Sequence, residues 1–156
     1  MKKLPVIILT CLTTSLLYAG LGDDYNTCLK QLEKTGIPVH HDDINGYARL
    51  ETHGNQSVTL FFNKTKTHCI VEEITSPNPI HVNLMKITLT HYHKHWKIDN
   101  VDDSNVWAES TDGETYVSFS LKWPGIFRIA NREGRQSPLV NWPNRENPEK
   151  ESMLFP

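Results

Sequence analysis

Residues 57–74, SVTLFFNKTKTHCIVEEI, decide the fold that this sequence predicts. In the first third of the stretch the apolar side chains recur at every second position, which is the period of a β-strand with one buried face. These side chains are Val58, Leu60 and Phe62. Asn63-Lys64 is a turn sequence, and the run from residue 68 to residue 74 predicts a second strand. The stretch therefore predicts a β-hairpin that needs a core on one side.

A helix and one more strand precede this hairpin. Asp23 or Asp24 can cap a helix whose apolar residues recur at steps of three and four, and Gly36 and Pro38 end it. The apolar residues of this helix are Tyr25, Cys28, Leu29 and Leu32. The segment HHDDING is interpreted as a polar loop, and the residues after it as a strand over 47–52. Residues 21–75 therefore form a predicted unit of one helix and three antiparallel strands.

The same order of elements recurs in the second half of the chain. A helix is predicted near Pro79, and strands are predicted over 106–110, 115–121 and 126–131. The apolar face of this helix is formed by Val82, Met85, Leu89 and Tyr92. At an offset of 59 residues Gly54 falls on Gly113, and Val58 falls on Val117. We predict an α+β fold of two tandem helix-plus-three-stranded antiparallel meander units, residues 21–75 and 78–131, with the helices packed on one face of the sheets.

The two ends of the chain differ from its middle. A short basic start precedes an apolar stretch that ends before Tyr18-Ala19-Gly20, so residues 1–19 are predicted to be a signal peptide. The apolar stretch is shorter than the ~20 residues that span a bilayer, and no transmembrane segment is expected after cleavage. Residues 20–131 are then a single α+β domain. Residues 132–156 contain four prolines and mixed charge, and they are predicted to be a flexible tail.

Charge and cysteine content limit the partners and the compartment. Loss of residues 1–19 removes Lys2 and Lys3 and changes the formal charge from −2 to −4, which makes nucleic acid an unsuitable partner. The MKKL start is typical of bacterial export, so a periplasmic or extracellular location is expected. Cys28 and Cys69 are the cysteines that remain after cleavage, and two cysteines in an exported chain usually form a disulfide.

The histidines raise the possibility of a metal site. The segment HYHKHW at residues 91–96 holds three histidines in five residues, and His40-His41 stands beside two aspartates. Imidazoles on one side of a helix or a strand can share zinc or copper. A solvated helix end and a polar loop explain the same residues without a metal. The candidate ligands are His81, His91, His93, His95, His40 and His41.

Other motifs favour binding over catalysis. The sequence has no nucleophile elbow, no phosphate-binding loop and no dinucleotide fingerprint. Glu72-Glu73 is interpreted as an acidic pair at a strand edge, where charge prevents aggregation. Trp123 lies in a Pro-Gly turn, and Trp107 lies in a predicted strand. Both are candidate binding residues because tryptophan is enriched in interface hot spots, although packing explains Trp107 equally well.

One stretch carries a resemblance to known exported proteins. The sequence LGDDYNTCLKQLEKTGIP, followed by YARLET and VTLFF, is similar to the SmpA/OmlA-type outer-membrane-assembly lipoproteins. The tandem arrangement resembles that of the secreted beta-lactamase inhibitor proteins. The chain also resembles small exported bacterial α+β proteins of unknown function that have one cysteine in the helix and one in the third strand, here Cys28 and Cys69. The lipidated cysteine of the first family is missing here. The resemblance implies protein binding or a role in the cell envelope.

We therefore expect an exported, non-enzymatic protein that binds a protein or a cell-envelope component through one sheet face and its hairpin turns. No cofactor is expected. Two alternatives stay open at this point: a metal-binding protein or metal-dependent hydrolase that uses the histidines, and a purely structural envelope component. Aromatic or apolar exposure on the outer sheet face favours the binding protein, whereas a uniformly polar face favours the structural role.

Overall fold

An eight-stranded antiparallel sheet forms most of the described structure, which is a computed structural model. The structure describes residues 20–79, 89, 95–101, 105–120, 122 and 124–139. The strands are β1 (Val39–Ile44), β2 (Tyr47–His53), β3 (Ser57–Phe62), β4 (Cys69–Ser76), β5 (Trp96–Val101), β6 (Asn105–Ser110), β7 (Thr115–Ser120) and β8 (Gly125–Asn131). The helices with described bounds are α1 (Tyr25–Glu33) and α2 (Arg132–Gln136).

The strand order shows how the two halves of the chain meet. The order is β1-β2-β3-β4-β8-β7-β6-β5, and all neighbours are antiparallel. Each half is a meander of four strands in chain order, and the last strands of the two meanders pair with each other. We call this β4–β8 pair, residues 71–76 and 125–130, the seam. It is the one place in the described sheet where strands distant in sequence are neighbours.

The predicted fold class is therefore wrong. The chain does not form two helix-plus-three-strand units, because β1 and β5 extend each meander to four strands and the seam joins both meanders into one sheet. β1 was predicted to be a loop since its sequence, VHHDDI, is polar, but an edge strand tolerates charged side chains on both faces. The helices also do not share a face. α1 packs on the side of the larger core, whereas α2 packs on the opposite side.

The turn between β1 and β2 explains why the polar segment is a strand. Asn45 and Gly46 both have positive φ, at 53° and 81°. Two such residues in sequence form the tight hairpin turn that matches the twist of the flanking strands, and Asn-Gly is its strongest sequence signal. The hairpin pairs His41 with Leu50 and Asp43 with Ala48.

The main core lies on one face of the sheet, which we call the core face. Apolar side chains at alternate positions of neighbouring strands are directed to it, because residues paired across an antiparallel ladder share a side. The buried residues of this face include Ala48, Leu50, Leu60, Phe62, Ile74, Phe127, Ile129, Val117, Phe119, Val106 and Ala108. Leu89, from the predicted second helix, belongs to the same cluster, while Val82, Met85 and Tyr92 lie outside the described residues.

Helix α1 covers the first half of the core face. Its N-cap is Asp24, whose Oδ1 accepts hydrogen bonds from the backbone N–H groups of Asn26 at 3.0 Å and Thr27 at 3.1 Å. Its buried residues are Cys28 and Leu32. The segment before the helix is tied to the start of β4, because Cys69 N–H donates to the Asp23 carbonyl at 2.7 Å. The beginning of α1 and the beginning of β4 therefore hold each other in place.

Helix α2 packs on the other face at the end of the seam. Residues 132–139, which the sequence assigned to the tail, include this helix and Leu139, which packs against Phe61, Ile70, Val71 and Ala130. Asn131 caps α2, since its Oδ1 accepts from Gly134 N–H at 2.9 Å. A Cβ on Gly134 would lie 2.0 Å from the Ile70 carbonyl oxygen, so the helix approaches β4 as closely as it does only because glycine stands there.

Substitution of Gly134 by alanine tests this close approach. We expect Gly134→Ala to lower the free energy of unfolding by about 1–3 kcal/mol, because the methyl group meets backbone atoms and forces α2 away from the sheet. Urea denaturation measures the change. Gly20→Ala is the control, since a Cβ on Gly20 has nothing within 4 Å. An equal effect of the two substitutions would contradict the packing described for α2.

Candidate functional site

The face opposite the core face carries a line of polar and aromatic side chains across the seam. Glu73 of β4 pairs with Arg128 of β8, Arg128 pairs with Ser118 of β7, and Ser118 pairs with Trp107 of β6. Because each pair shares a side of the sheet, the four side chains form one row perpendicular to the strands. Glu73, Arg128 and Trp107 are half-buried, and Ser118 is buried.

A second row runs beside the first. Thr75, Ile126, Ser120 and Asn105 are paired in the same way across β4, β8, β7 and β6, and all four are half-buried. We call the two rows together the open face. It is a surface of mixed character, with one tryptophan, one isoleucine, one acid–base pair and several hydroxyl or amide groups. Its backbone is fixed by the interstrand hydrogen bonds of four neighbouring strands.

One ion pair lies at the β4–β8 end of the first row of the open face. Arg128 Nε donates a hydrogen bond to Glu73 Oε2, and both side chains keep about a quarter of their surface exposed, 28% and 24%. A paired arginine is restrained in position while its remaining N–H groups can still face solvent. The seam therefore presents an ordered guanidinium group near Trp107, with Ser118 between them in the row.

Helix α2 limits the open face on one side. The neighbouring row includes Val71, Ala130 and Tyr116, and α2 covers the first two. The Arg135 guanidinium carbon lies 4.9 Å from the centre of the Tyr116 ring, which is a cation–π contact. Tyr116 is therefore part of the packing under α2, and the accessible surface begins at the row that contains Trp107.

The tryptophans lie in different environments, and Trp107 and Trp123 are the two that the sequence offers as binding residues. Trp107 lies on the open face as described above, with an intermediate exposure that suits a contact residue. Trp123 lies outside the described residues. Trp96 is a packing residue, since its Nε1–H donates to the Leu89 carbonyl at 2.7 Å and its ring packs against the main core.

The structure directs His40 and His41 to different neighbours. His40 and His41 are neighbours in β1 and point to opposite faces: His41 Nδ1 is hydrogen-bonded to Tyr25 Oη at 3.1 Å, whereas the His40 ring lies 5.7 Å from the His53 ring. His95 is exposed, and His81, His91 and His93 lie outside the described residues. Within the described part of the chain no group of three or more potential ligands is arranged to hold a metal ion. The metal alternative stays a prediction.

The core face holds an acid that the sequence interpretation placed at a strand edge. Glu72 belongs to the central strand β4 and is completely buried. It pairs with Leu60 of β3 and Ile129 of β8, so it lies inside the main core. Burial raises the pKa of Glu72 to about 8, and the negative charge of Asp23 adds to this effect. The burial of Glu72 could have been predicted from the alternation of side chains along β4. Glu72 is two residues from the apolar Ile74, so the two side chains face the same side of the sheet.

The two cysteines lie in the same cluster as Glu72. Both are free thiols in this structure and neither has exposed surface. Burial raises the pKa of Cys28 to about 12 and also raises the pKa of Cys69 well above its usual range. A negative charge on Glu72 would also raise the pKa of both thiols. The predicted disulfide stays a prediction.

Comparisons with known proteins leave the family open. A scan against models of protein families and searches of curated proteins and of solved structures found no match to this chain. The resemblance to envelope lipoproteins and inhibitor proteins therefore stays a prediction. Among the described residues, no helix has both the length and the apolar character needed to cross a bilayer.

The state of the two cysteines can be measured directly. We expect protein isolated from an oxidising compartment to contain a Cys28–Cys69 bridge, seen as a linked peptide pair in non-reducing mass spectrometry. The bridge closes a loop of some forty residues, so its reduction should lower the free energy of unfolding by about 4 kcal/mol. Quantitative alkylation of both thiols after denaturation without reductant would contradict the prediction.

Proposed function

We propose that this chain is an exported binding protein that binds a partner protein on the open face of its sheet. The observation that carries the proposal is the row of Glu73, Arg128, Ser118 and Trp107, which places an aromatic ring and an ordered ion pair on one rigid surface. Tryptophan and arginine are the residue types most enriched in the energetic centres of protein interfaces.

The form of the surface favours a protein partner. The two rows of the open face extend across four neighbouring strands, whereas small molecules are bound in clefts that enclose most of their surface. The side chains combine one tryptophan and one isoleucine with hydroxyl, amide and charged groups. A protein interface has the same composition, with an aromatic centre and a polar rim.

The rigidity of the site lowers the cost of binding. Side chains that become fixed on association lose conformational entropy, at about 0.5–1.5 kcal/mol for each flexible side chain. Arg128 is already held by Glu73, and Trp107 is on a strand paired on both sides. Both groups are therefore largely ordered before a partner arrives. The predicted signal peptide places this encounter outside the cytoplasm.

Site-specific crosslinking tests the proposed surface. A photoreactive amino acid at Ser120, on the open face, should give one discrete adduct in cell-envelope material, whereas the same group at Lys30 on the exposed side of α1 should not. We expect Trp107→Ala to weaken the Ser120 adduct by about tenfold or more, because truncation of a hot-spot tryptophan costs ~2 kcal/mol or more.

A matched substitution separates lost contact from lost structure. Ile98 is 47% exposed and pairs with Ala108, so it lies on the core face of the sheet and not on the open face. Ile98→Ala therefore removes exposed apolar surface at a distant position and should leave the Ser120 adduct unchanged. Circular dichroism of each variant confirms that the sheet is intact. Equal adducts from Ser120 and Lys30, or equal effects of the two substitutions, would contradict the proposal.

A further inference from the structure

Glu72 is a buried acid that the proposed binding surface does not use. Its exposure is 0%, and among the described residues neither carboxyl oxygen has a hydrogen-bond partner. Buried polar side chains are nearly always hydrogen-bonded, and an isolated carboxylate in an apolar medium is far more costly than a neutral carboxylic acid. The side chain is therefore tolerated in the core as the neutral acid, and its ionisation requires access to water.

The groups around Glu72 offer no positive charge in the described part of the chain. The neighbours in β3 and β8 are Leu60 and Ile129, which are apolar. The titratable groups that affect it or are affected by it are Asp23 before α1, Cys28 in α1 and Cys69 in β4. Each of these can only become negative on ionisation. A negative charge on Glu72 would thus meet apolar atoms or groups of the same sign.

The position of Glu72 determines which part of the fold is affected by such a charge. The acid lies on the seam, opposite Ile129. The other neighbouring strands in the sheet are consecutive in the chain, so short connections keep them close when their hydrogen bonds open. The seam has no such connection, because β4 and β8 are separated by the whole second meander. If β4 and β8 separate, water reaches the Glu72 carboxylate, and no short loop between these two strands opposes their separation.

We propose that Glu72 is a proton-operated switch of the seam: the neutral acid allows the two meanders to form one sheet, and loss of its proton weakens the pairing of β4 with β8. This inference does not depend on the proposed partner. It makes the integrity of the open face sensitive to pH, since the Glu73–Arg128 ion pair and the Thr75–Ile126 pair both cross the seam.

The direction of the pH effect follows from thermodynamic linkage. The folded-state pKa of Glu72, about 8, lies above the value of 4.5 for an unperturbed glutamate, so the folded protein binds the proton more tightly. The stabilising contribution is complete below pH 4.5 and is lost as the pH rises through 8. Between pH 5 and pH 8.5 the equilibrium constant for opening of the seam, in which Glu72 becomes hydrated, should therefore rise by about a hundredfold or more.

Hydrogen exchange at controlled pH tests the switch. After correction for the intrinsic rate, backbone amides of β4 and β8 in the wild-type protein should exchange about tenfold or more faster at pH 8.5 than at pH 6, whereas amides of β2 should change much less. Glu72→Gln, which cannot ionise, should remove this difference. Glu33→Gln is the control, because it removes an exposed carboxyl group at the end of α1, away from the seam, and it should retain the difference.

The outcomes decide the proposal. Faster exchange confined to the seam and abolished by Glu72→Gln supports it. Exchange that is independent of pH, equal in all strands, or unchanged by Glu72→Gln overturns it. If Glu72→Gln does not fold, infrared spectroscopy of the wild-type protein gives the answer: a protonated buried carboxyl band at pH 6 that disappears as the pH rises through 8 supports the proposal, and the absence of a protonated carboxyl band at pH 6 overturns it.

Discussion

The antiparallel pairing of β4 with β8 is the interaction on which the rest of the structure depends. Without it the described strands are two separate four-strand meanders, each with its own apolar face. With it the apolar residues of both meanders lie on one side of a single sheet and share one cluster. The same pairing builds the open face, because Glu73 and Arg128 come from different halves of the chain and meet only across the seam.

Two adjacent glutamates in β4 have opposite environments because successive side chains of a strand point to opposite faces. Glu73 is half-buried on the open face, where it forms an ion pair with Arg128. Glu72 is buried between Leu60 and Ile129, where only its neutral form is compatible with the core. One strand therefore connects the surface chemistry of the protein with the stability of its core, and we infer that the ionisation of Glu72 affects both.

Much of the local structure could be predicted from sequence, whereas the assembly of the strands could not. Helix α1 and strands such as β3 and β7 have clear apolar periodicity, and their observed bounds agree with prediction within a few residues. β1 was missed because an edge strand carries polar side chains on both faces, although Asn45-Gly46 marks its hairpin. The seam pairs residues that are 49 to 59 positions apart, and no local pattern encodes such pairing. Trp107 was identified as a candidate, but the row that surrounds it exists only once the strands are in register.

Nuclear Overhauser effects across the seam test the central claim most directly. If the two meanders form one sheet, backbone protons of Glu72 and Ile74 must give interstrand contacts to Ile129 and Phe127, their partners in the register. Contacts of this kind at near-neutral pH would establish the single eight-stranded sheet. Contacts within each meander, together with none between β4 and β8, would contradict it and would remove the structural basis of both the proposed binding surface and the proposed switch at Glu72.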